Sequence, residues 1–203
     1  MGEKKKSDEK DSLKVYPNKT IHFRQYNVHD FAWFADPNWI VQKGELWLDD
    51  SSKQISLWSM YLPKNAWMWR KSLDYIHDSG LWYSRFYGDY PYNHISAVDG
   101  DMSAGGGMEY PNITVISSSP SEDLLEYVIM HEVGHTLGLN HNMRASHLYS
   151  PDELSNPELI KGKAINGSVM EYPALNISLD KSRQAQFSDT SVGPYDMWAI
   201  EFE

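Results

Sequence analysis

The chain contains no cysteine among its 203 residues, so it has neither a disulfide framework nor a thiolate metal ligand. No apolar run approaches the roughly 20 residues that a membrane-spanning helix needs, and we expect no membrane span. Positive charge is also scarce, because 18 Lys and Arg face 28 Asp and Glu and give a net charge of −10. Phosphate contacts require clustered Lys and Arg, so we expect no nucleic-acid partner. Any bound metal must be held by histidines and carboxylates.

The composition is otherwise that of a folded globule, with 41% hydrophobic residues, thirteen Tyr and eight Trp. This length predicts one domain, here assigned to residues 20–203. The first dozen residues, MGEKKKSDEKDS, carry four lysines and four acids without an apolar stretch. We therefore expect residues 1–19 to be a disordered tail and not a signal peptide.

Alternating and helical patterns organise the first half of the domain. From Thr20, IHFRQY and VHDFAWFA alternate aromatic and polar residues and predict strands, and ELWLDD with QISLWSMYL predicts a hairpin or two adjacent strands. Pro63 to Gly88 reads as a long helix that Gly80 weakens, and YNHISAVD reads as a short buried strand. Four histidines in these segments lack partners at ligand spacing, and we expect structural roles for them: His22, His29, His77 and His94.

The stretch HEVGHTLGLNH carries the strongest chemical signal. His131 and His135 stand four apart, so on a helix they project from one face, and Glu132 is placed to act on a metal-bound water. His141 can reach the same ion only if the helix stops, and Gly138 can take the left-handed conformation that ends it. The pattern HExxHxxGxxH is typical of metzincin zinc proteases.

A glycine-rich stretch, DGDMSAGGGMEYPNITVI, precedes this helix. Gly105 to Gly107 allow the backbone to approach another group closely, and the residues after them are extended. We expect an edge strand near residues 110–117 because Pro111 is tolerated at a sheet edge. Such an edge pairs with an extended peptide substrate. The alternative is an ordinary glycine loop before an ordinary strand.

Capping patterns predict where later helices begin. Ser119, Pro120 and Glu122 indicate the start of a buried central helix. The same arrangement at residues 150–153 starts a shorter helix that Pro157 interrupts.

Residues 131–203 resemble bacterial zinc-dependent metalloproteases of the metzincin type. The resemblance is carried by HEVGHTLGLNHNMRAS, by the turn SVMEYP and by the tail GPYDMWAIEF, which we expect to form a helix. It implies a Zn²⁺ cofactor, three zinc ligands, a catalytic base, a methionine beneath the site and a tyrosine that ligates zinc or stabilises the oxyanion. The implied ligands are His131, His135 and His141. The implied base is Glu132, the methionine is Met170 and the tyrosine is Tyr172.

Residues 20–135 instead resemble the catalytic domain of gluzincin (thermolysin-like) zinc aminopeptidases. The matching segments are KTIHF, NVHDFAWFAD, YGDYPYNHISAVDGD, GGGMEYPNITVI and EDLLEYVIMHEVGH. The resemblance implies that residues 106–109 border the cleft and that Glu109 binds the free amino group of a substrate. The family's third ligand, a glutamate, is absent, because Leu154 occupies its place and the adjacent Glu153 is a helix cap. The implied substrate-binding residues are Gly106, Gly107, Met108 and Glu109.

These patterns together predict an α+β, zincin-like domain. A twisted mixed sheet with an edge strand lies over a central active-site helix, in an upper lobe of residues 20–138. A small irregular C-terminal lobe of residues 139–203 closes the other side. The expected function is zinc-dependent hydrolysis of a peptide or protein substrate by a monomer, placed in the periplasm or outside the cell by the family resemblance. Two alternatives stay open: an inactive zinc-binding scaffold, and an aminopeptidase that reads a free N-terminus.

Overall fold

A computed structural model describes residues 20–48, 53–100, 106–117 and 121–202. The expected disordered tail at residues 1–19 lies outside these ranges, as do Gly105, Ser119 and Pro120. None of the helices in the described ranges combines the length and the apolar character that crossing a membrane requires.

A five-stranded mixed sheet forms the centre of the fold, in the order β1-β2-β3-β5-β4. The two outer pairs, β1 with β2 and β4 with β5, are antiparallel, whereas β2 with β3 and β3 with β5 are parallel. With the helices described below, this is the α+β class and the mixed sheet that the sequence predicts. The strands are β1 Ile40–Trp47, β2 Gln54–Tyr61, β3 His94–Asp99, β4 Gly107–Tyr110 and β5 Ile113–Ile116.

The predicted hairpin is confirmed as β1 and β2, whose connection at residues 49–52 lies outside the described ranges. Ile55, Leu57 and Tyr61 point into the core, because alternate side chains of a strand face one side of a sheet. The predicted buried strand is confirmed as β3, whose last five residues are all buried.

The strands predicted from Thr20 onward are wrong, because residues 20–38 contain no strand. Their aromatic side chains line a cavity over one face of the sheet, where Phe31 and Trp33 lie with Trp58 and Met60 of β2. The alternation therefore reflects aromatic side chains that line this cavity, which a segment without strand pairing can also provide.

The single helix predicted from Pro63 to Gly88 is divided in the structure. A 3₁₀ turn at Pro63–Asn65 leads into α1, Ala66–Trp69, and then α2, Ser72–Tyr87. Gly80 does not interrupt α2. A Cβ at this position would lie 2.8 Å from Ile95 Cδ1 and 2.9 Å from Leu46 Cδ2, so the glycine lets the helix lie directly on the sheet.

The central helix is α3, Glu122–Thr136, and it is buried along most of its length. Its N-cap is Ser121, whose side chain accepts a hydrogen bond from the Leu124 N–H. The predicted cap two residues earlier is therefore wrong, and Glu122 is the first helical residue. Its carboxylate pairs with Lys71 Nζ at 2.7 Å and accepts from the Tyr75 hydroxyl at 3.0 Å, which holds α3 against α2.

The edge strand predicted near residues 110–117 is also wrong. Residues 113–116 form β5, which is paired on both sides, and the edge is β4. Pro111 lacks an N–H, and Asn112 takes a left-handed conformation with φ of 60°. The chain therefore reverses here into a hairpin, and the strand that precedes the turn becomes the outer one.

The remainder of the chain consists of short elements joined by loops. The cap predicted at Ser150 and Glu153 is confirmed as a capping box, and a new helix begins at Pro157. The tail is helical from Pro194, as expected. The helices are α4 Pro151–Leu154, α5 Pro157–Ile160 and α6 Pro194–Phe202, with 3₁₀ turns at Ala145–His147 and Lys181–Arg183.

Candidate metal centre

The end of α3 turns the chain back toward the helix. Gly138 has a positive φ of 95°, its N–H donates to the His135 carbonyl at 2.9 Å, and the Leu139 N–H donates to the Gly134 carbonyl at 3.2 Å. This pair of bonds is a Schellman motif, which ends a helix with one left-handed residue. His141 consequently lies with its Nε2 atom 2.9 Å from Nε2 of His135.

Three imidazoles converge at this point. The ligand atoms of His131, His135 and His141 all lie within 4.8 Å of one another. Two nitrogens bound to one tetrahedral zinc at 2.0–2.1 Å are about 3.3 Å apart, so small side-chain adjustments suffice to hold the ion. Nε2 of His131 is buried and has no hydrogen-bond partner within the described ranges, so a cation would satisfy it. The residues present therefore fit a zinc ion.

Two backbone carbonyls orient these rings. Nδ1 of His131 lies 2.7 Å from the Val169 carbonyl, and Nδ1 of His135 lies 2.8 Å from the Leu139 carbonyl. Each Nδ1–H donates, so the neutral ring presents the lone pair of Nε2 to a metal. Burial lowers the pKa of His131 to about 4 and also lowers the pKa of His141, which favours the neutral form that binds metal.

Glu132 lies beside the histidines with only 3% of its surface exposed. Burial, together with the nearby Glu109 carboxylate, raises the pKa of Glu132 to about 8. Strand β4 crosses directly over this side chain, because a Cβ at Gly107 would lie 2.6 Å from Glu132 Cδ. Only glycine allows the strand to come this close.

Three of the four residues expected at the cleft are in the strand and divide between its two faces. Gly107 and Glu109 face α3, and a carboxylate oxygen of Glu109 lies within 4.8 Å of one of Glu132. Met108 points to the opposite face, because side chains alternate along a strand, and it is 41% exposed. Gly106 has a φ of 74° and precedes the strand. The structure therefore brings the Glu109 side chain to the histidines but not the Met108 side chain.

Met170 lies in a turn beneath α3 and is 2% exposed. A Cβ at Gly134 would lie 2.6 Å from Met170 Sδ, so the methionine packs against the helix between His131 and His135. The predicted position of the methionine beneath the histidines is thus found, and its supporting role stays a prediction.

Tyr172 stands at the open side of the cluster and is 60% exposed. The centroid of its ring lies 4.8 Å from that of His131 and 4.5 Å from that of His141. Partial burial raises the pKa of Tyr172, and the Glu132 and Glu109 carboxylates raise it further. Its phenol therefore stays protonated and is available as a hydrogen-bond donor.

The groups that orient the histidine rings could not be predicted from the sequence. The carbonyls of Leu139 and Val169 cannot be predicted from the sequence, because every residue has a backbone carbonyl whatever its side chain. Asp196 is 2% exposed and accepts from the Val169 N–H at 2.8 Å. Its stretch, GPYDMWAIEF, predicted only a helix. An acid predicted to be buried on that helix would have been the available clue.

A protein-family model described as Met-zincin matches residues 116–203. No curated protein matches the chain. Among solved structures, 46% of this chain is similar to a variant of a two-domain M1 zinc metallopeptidase bound to L-arginine, at 11% identity and a TM-score of 0.33. The similar part is 22% of that protein's length. The C-terminal part of this chain is thus similar to zincin-type metallopeptidases.

Proposed function

We propose that the chain is a zinc-dependent metallopeptidase in which Glu132 is the general base. The observation that carries this proposal is the convergence of three imidazoles, one with a buried and unpartnered Nε2, beside a buried carboxylate. The match of residues 116–203 to the Met-zincin family supports it. His131, His135 and His141 are the proposed ligands.

Each side chain has a distinct task in the proposed reaction. Zinc held by the three histidines would supply a Lewis acid that lowers the pKa of bound water towards 7. Glu132 would accept a proton from the attacking water and return it to the leaving amine. Burial raises the pKa of Glu132, so its ionised carboxylate is a stronger base than an exposed glutamate. Tyr172 donates a hydrogen bond to the oxygen on which negative charge develops.

The substrate backbone is proposed to lie along β4. This strand is the last in the sheet order, so one side of its backbone is not used by the sheet. An extended peptide that pairs there passes beside Glu132, because Gly107 brings the strand against that carboxylate.

Glu132→Gln tests the proposed base. The amide cannot accept the proton, so we expect hydrolysis to fall by about 10²–10⁴-fold while one zinc stays bound per chain. Glu126→Gln is the matched control, because Glu126 is on the same helix but lines a cavity against α2. A wild-type chain that binds zinc without cleaving any peptide of a diverse library would favour the inactive scaffold instead.

We further propose that the site binds the free amino group at the N-terminus of its substrate. Carboxylate oxygens of Glu109 and Glu132 lie within 4.8 Å of each other and of a ring nitrogen of His135. Two carboxylates this close repel each other when both are ionised, and a substrate ammonium can relieve that repulsion by pairing with Glu109 in a charge-assisted hydrogen bond. This contact favours an aminopeptidase over an endopeptidase.

A matched pair of peptides, one with a free and one with an acetylated N-terminus, tests this specificity. We expect acetylation to reduce kcat/KM by about 100-fold, and Glu109→Gln to remove the preference. Equal cleavage of the two peptides by the wild type would establish internal cleavage and leave the role of Glu132 intact.

A further inference from the structure

A buried carboxylate from the C-terminal helix reaches the turn that carries Met170. Asp196 lies in the first turn of α6 and is 2% exposed. Its Oδ2 atom accepts from the Val169 N–H at 2.8 Å and from the Gly193 N–H at 2.8 Å. Its Oδ1 atom accepts from the Ser168 hydroxyl. All three donors are neutral, and two of them belong to the turn.

The same turn holds a proposed zinc ligand on its other side. The Val169 carbonyl accepts from His131 Nδ1 at 2.7 Å and from the Tyr127 hydroxyl at 3.1 Å. The N–H of the same peptide unit belongs to Met170 and donates to the Ser168 hydroxyl oxygen at 3.0 Å. The Val169–Met170 peptide is therefore held at both ends, by the imidazole at one and by the serine at the other.

Backbone contacts fix α6 against this turn. The Tyr195 N–H donates to the Gly167 carbonyl at 2.8 Å. A Cβ at Gly193 would lie 2.5 Å from the Ser168 nitrogen, so the start of the helix touches the turn directly. A hydrogen-bonded path thus runs from Asp196 through Ser168 and one peptide unit to His131.

We propose that Asp196 is a positioning residue that orients the His131 imidazole for metal binding through Ser168 and the Val169–Met170 peptide. This inference rests on the proposed metal centre. Without the carboxylate, Ser168 loses its acceptor and the peptide can rotate, so the Val169 carbonyl no longer fixes the direction of the Nδ1–H bond. Loss of outer partners of metal-binding histidines weakens metal affinity by about 10–100-fold in general.

The chain offers a matched control for a merely structural effect. Asp189 is 1% exposed and accepts from the N–H groups of Ile165 and Asn166 at 3.1 and 2.9 Å. It is a second buried carboxylate that holds backbone of the same region. Its hydrogen bonds do not lead to a proposed ligand, so its removal destabilises the fold without disturbing His131.

The test is the dissociation constant for zinc of the purified chain, measured by competition with a chelating dye. We expect Asp196→Ala to bind zinc about 10-fold more weakly and Asp189→Ala to bind within about twofold of the wild type. Asp196→Asn should recover most of the affinity, because its amide oxygen can accept from Val169 and Gly193 and its amide NH2 can donate to the Ser168 hydroxyl oxygen. The visible spectrum of the cobalt(II)-loaded protein should change in Asp196→Ala and stay unchanged in Asp189→Ala, since it reports ligand geometry.

Unchanged affinity in Asp196→Ala, or an equal loss in Asp189→Ala, would overturn the inference while the metal centre stands. A wild-type chain that binds no zinc would overturn both. If Asp196→Ala does not fold, the test uses Ser168→Ala. This variant removes the bridging hydroxyl but keeps the hydrogen bonds from the Val169 and Gly193 N–H groups to Asp196. A severalfold weaker zinc complex is expected from it, and wild-type affinity would refute the path.

Discussion

At the scale of single residues, two glycines bring backbone against the groups that we assign to chemistry. Gly107 lets β4 lie against Glu132, and Gly134 lets Met170 pack against α3. Both positions lie where a methyl group would occupy space already filled by a functional side chain. Substitution at these sites therefore alters the geometry of the reaction centre as well as stability.

Gly107→Ala should reduce kcat/KM with little change in zinc content. The new methyl group would lie 2.6 Å from Glu132 Cδ and 2.7 Å from Glu132 Cγ, so the strand or the carboxylate must move. A displacement of about 1 Å at a catalytic group can lower the rate about 100-fold. Gly44→Ala is the control, because its Cβ meets neighbours only at 3.7 Å, and it should keep full activity.

His141→Ala should weaken zinc binding, whereas Glu153→Ala should leave it unchanged. His141 Nε2 lies 2.9 Å from His135 Nε2, while Glu153 caps α4 through Ser150. Loss of one of three protein ligands should raise the zinc dissociation constant by at least about 100-fold, beyond the cost of an outer partner. The reverse result, measured by equilibrium dialysis, would assign the third ligand to Glu153 and refute the metzincin-type site.

At the scale of elements, the position of α2 on the sheet depends on one small residue. Gly80 faces Ile95 of β3 and Leu46 of β1, both of which are buried. Because α2 also holds α3 through Tyr75 and Glu122, the two helices form one layer that packs on the sheet.

Gly80→Ala should destabilise the fold although alanine is the better helix former. The gain in helix propensity is about 1 kcal/mol. The added methyl group would meet Ile95 and Leu46 at 2.8 and 2.9 Å in a filled core, and overpacking costs about 1–3 kcal/mol. We expect a net loss of roughly 1 kcal/mol in urea denaturation. A stabilised variant would mean that the two core side chains have room to move.

Asp189→Asn should change how stability depends on pH. Burial raises the pKa of Asp189 to about 6 from an ordinary value of 3.8, although its hydrogen bonds act in the opposite direction. Below pH 4 both folded and unfolded chains hold this proton. As the pH rises from 4 to 6 the unfolded chain releases it first, so the wild type loses stability on the order of 1–3 kcal/mol.

The asparagine variant lacks this loss, so its stability relative to the wild type should rise between pH 4 and pH 7 in urea titrations. Asp180→Asn is a useful contrast. Hydrogen bonds from Ser182 lower the pKa of the exposed Asp180, so the sign of its effect is opposite. A flat difference for Asp189→Asn would show that this carboxyl titrates normally.

At the scale of the whole molecule, the proposed metal site joins parts of the chain that are distant in sequence. Two proposed ligands are on α3, the third follows the turn, and the carbonyl behind His131 comes from residue 169. A ligand that binds only the folded chain stabilises it in proportion to the logarithm of its concentration.

Zinc should therefore raise the melting temperature, and a chelator should reverse the effect. At 1,000 times the dissociation constant the gain is about 4 kcal/mol, which corresponds to a Tm shift on the order of 10 °C for a domain of this size. His131→Ala should show no such shift in differential scanning calorimetry. Equal melting temperatures with and without zinc would contradict binding at a folded site.

The sequence by itself was sufficient to predict the relative positions of side chains whose geometry is set within a few residues. The spacing of His131 and His135 sets both on one helix face, and Gly138 ends the helix so that His141 returns to them. The structure brings these side chains together as the spacing predicts, because helix periodicity and a left-handed cap act within a few residues. Their roles as ligands stay predictions until zinc binding is measured.

Only the tertiary structure decided which strand lies at the edge, that residues 20–38 form no strand, and that Asp196 supports the turn behind His131. A pattern of apolar residues specifies which face of an element is buried but not which neighbour covers it. Pairing across the sheet and the contact between α6 and the Met170 turn join residues far apart in sequence. They are selected by the packing of the whole chain, on which local periodicity carries no information.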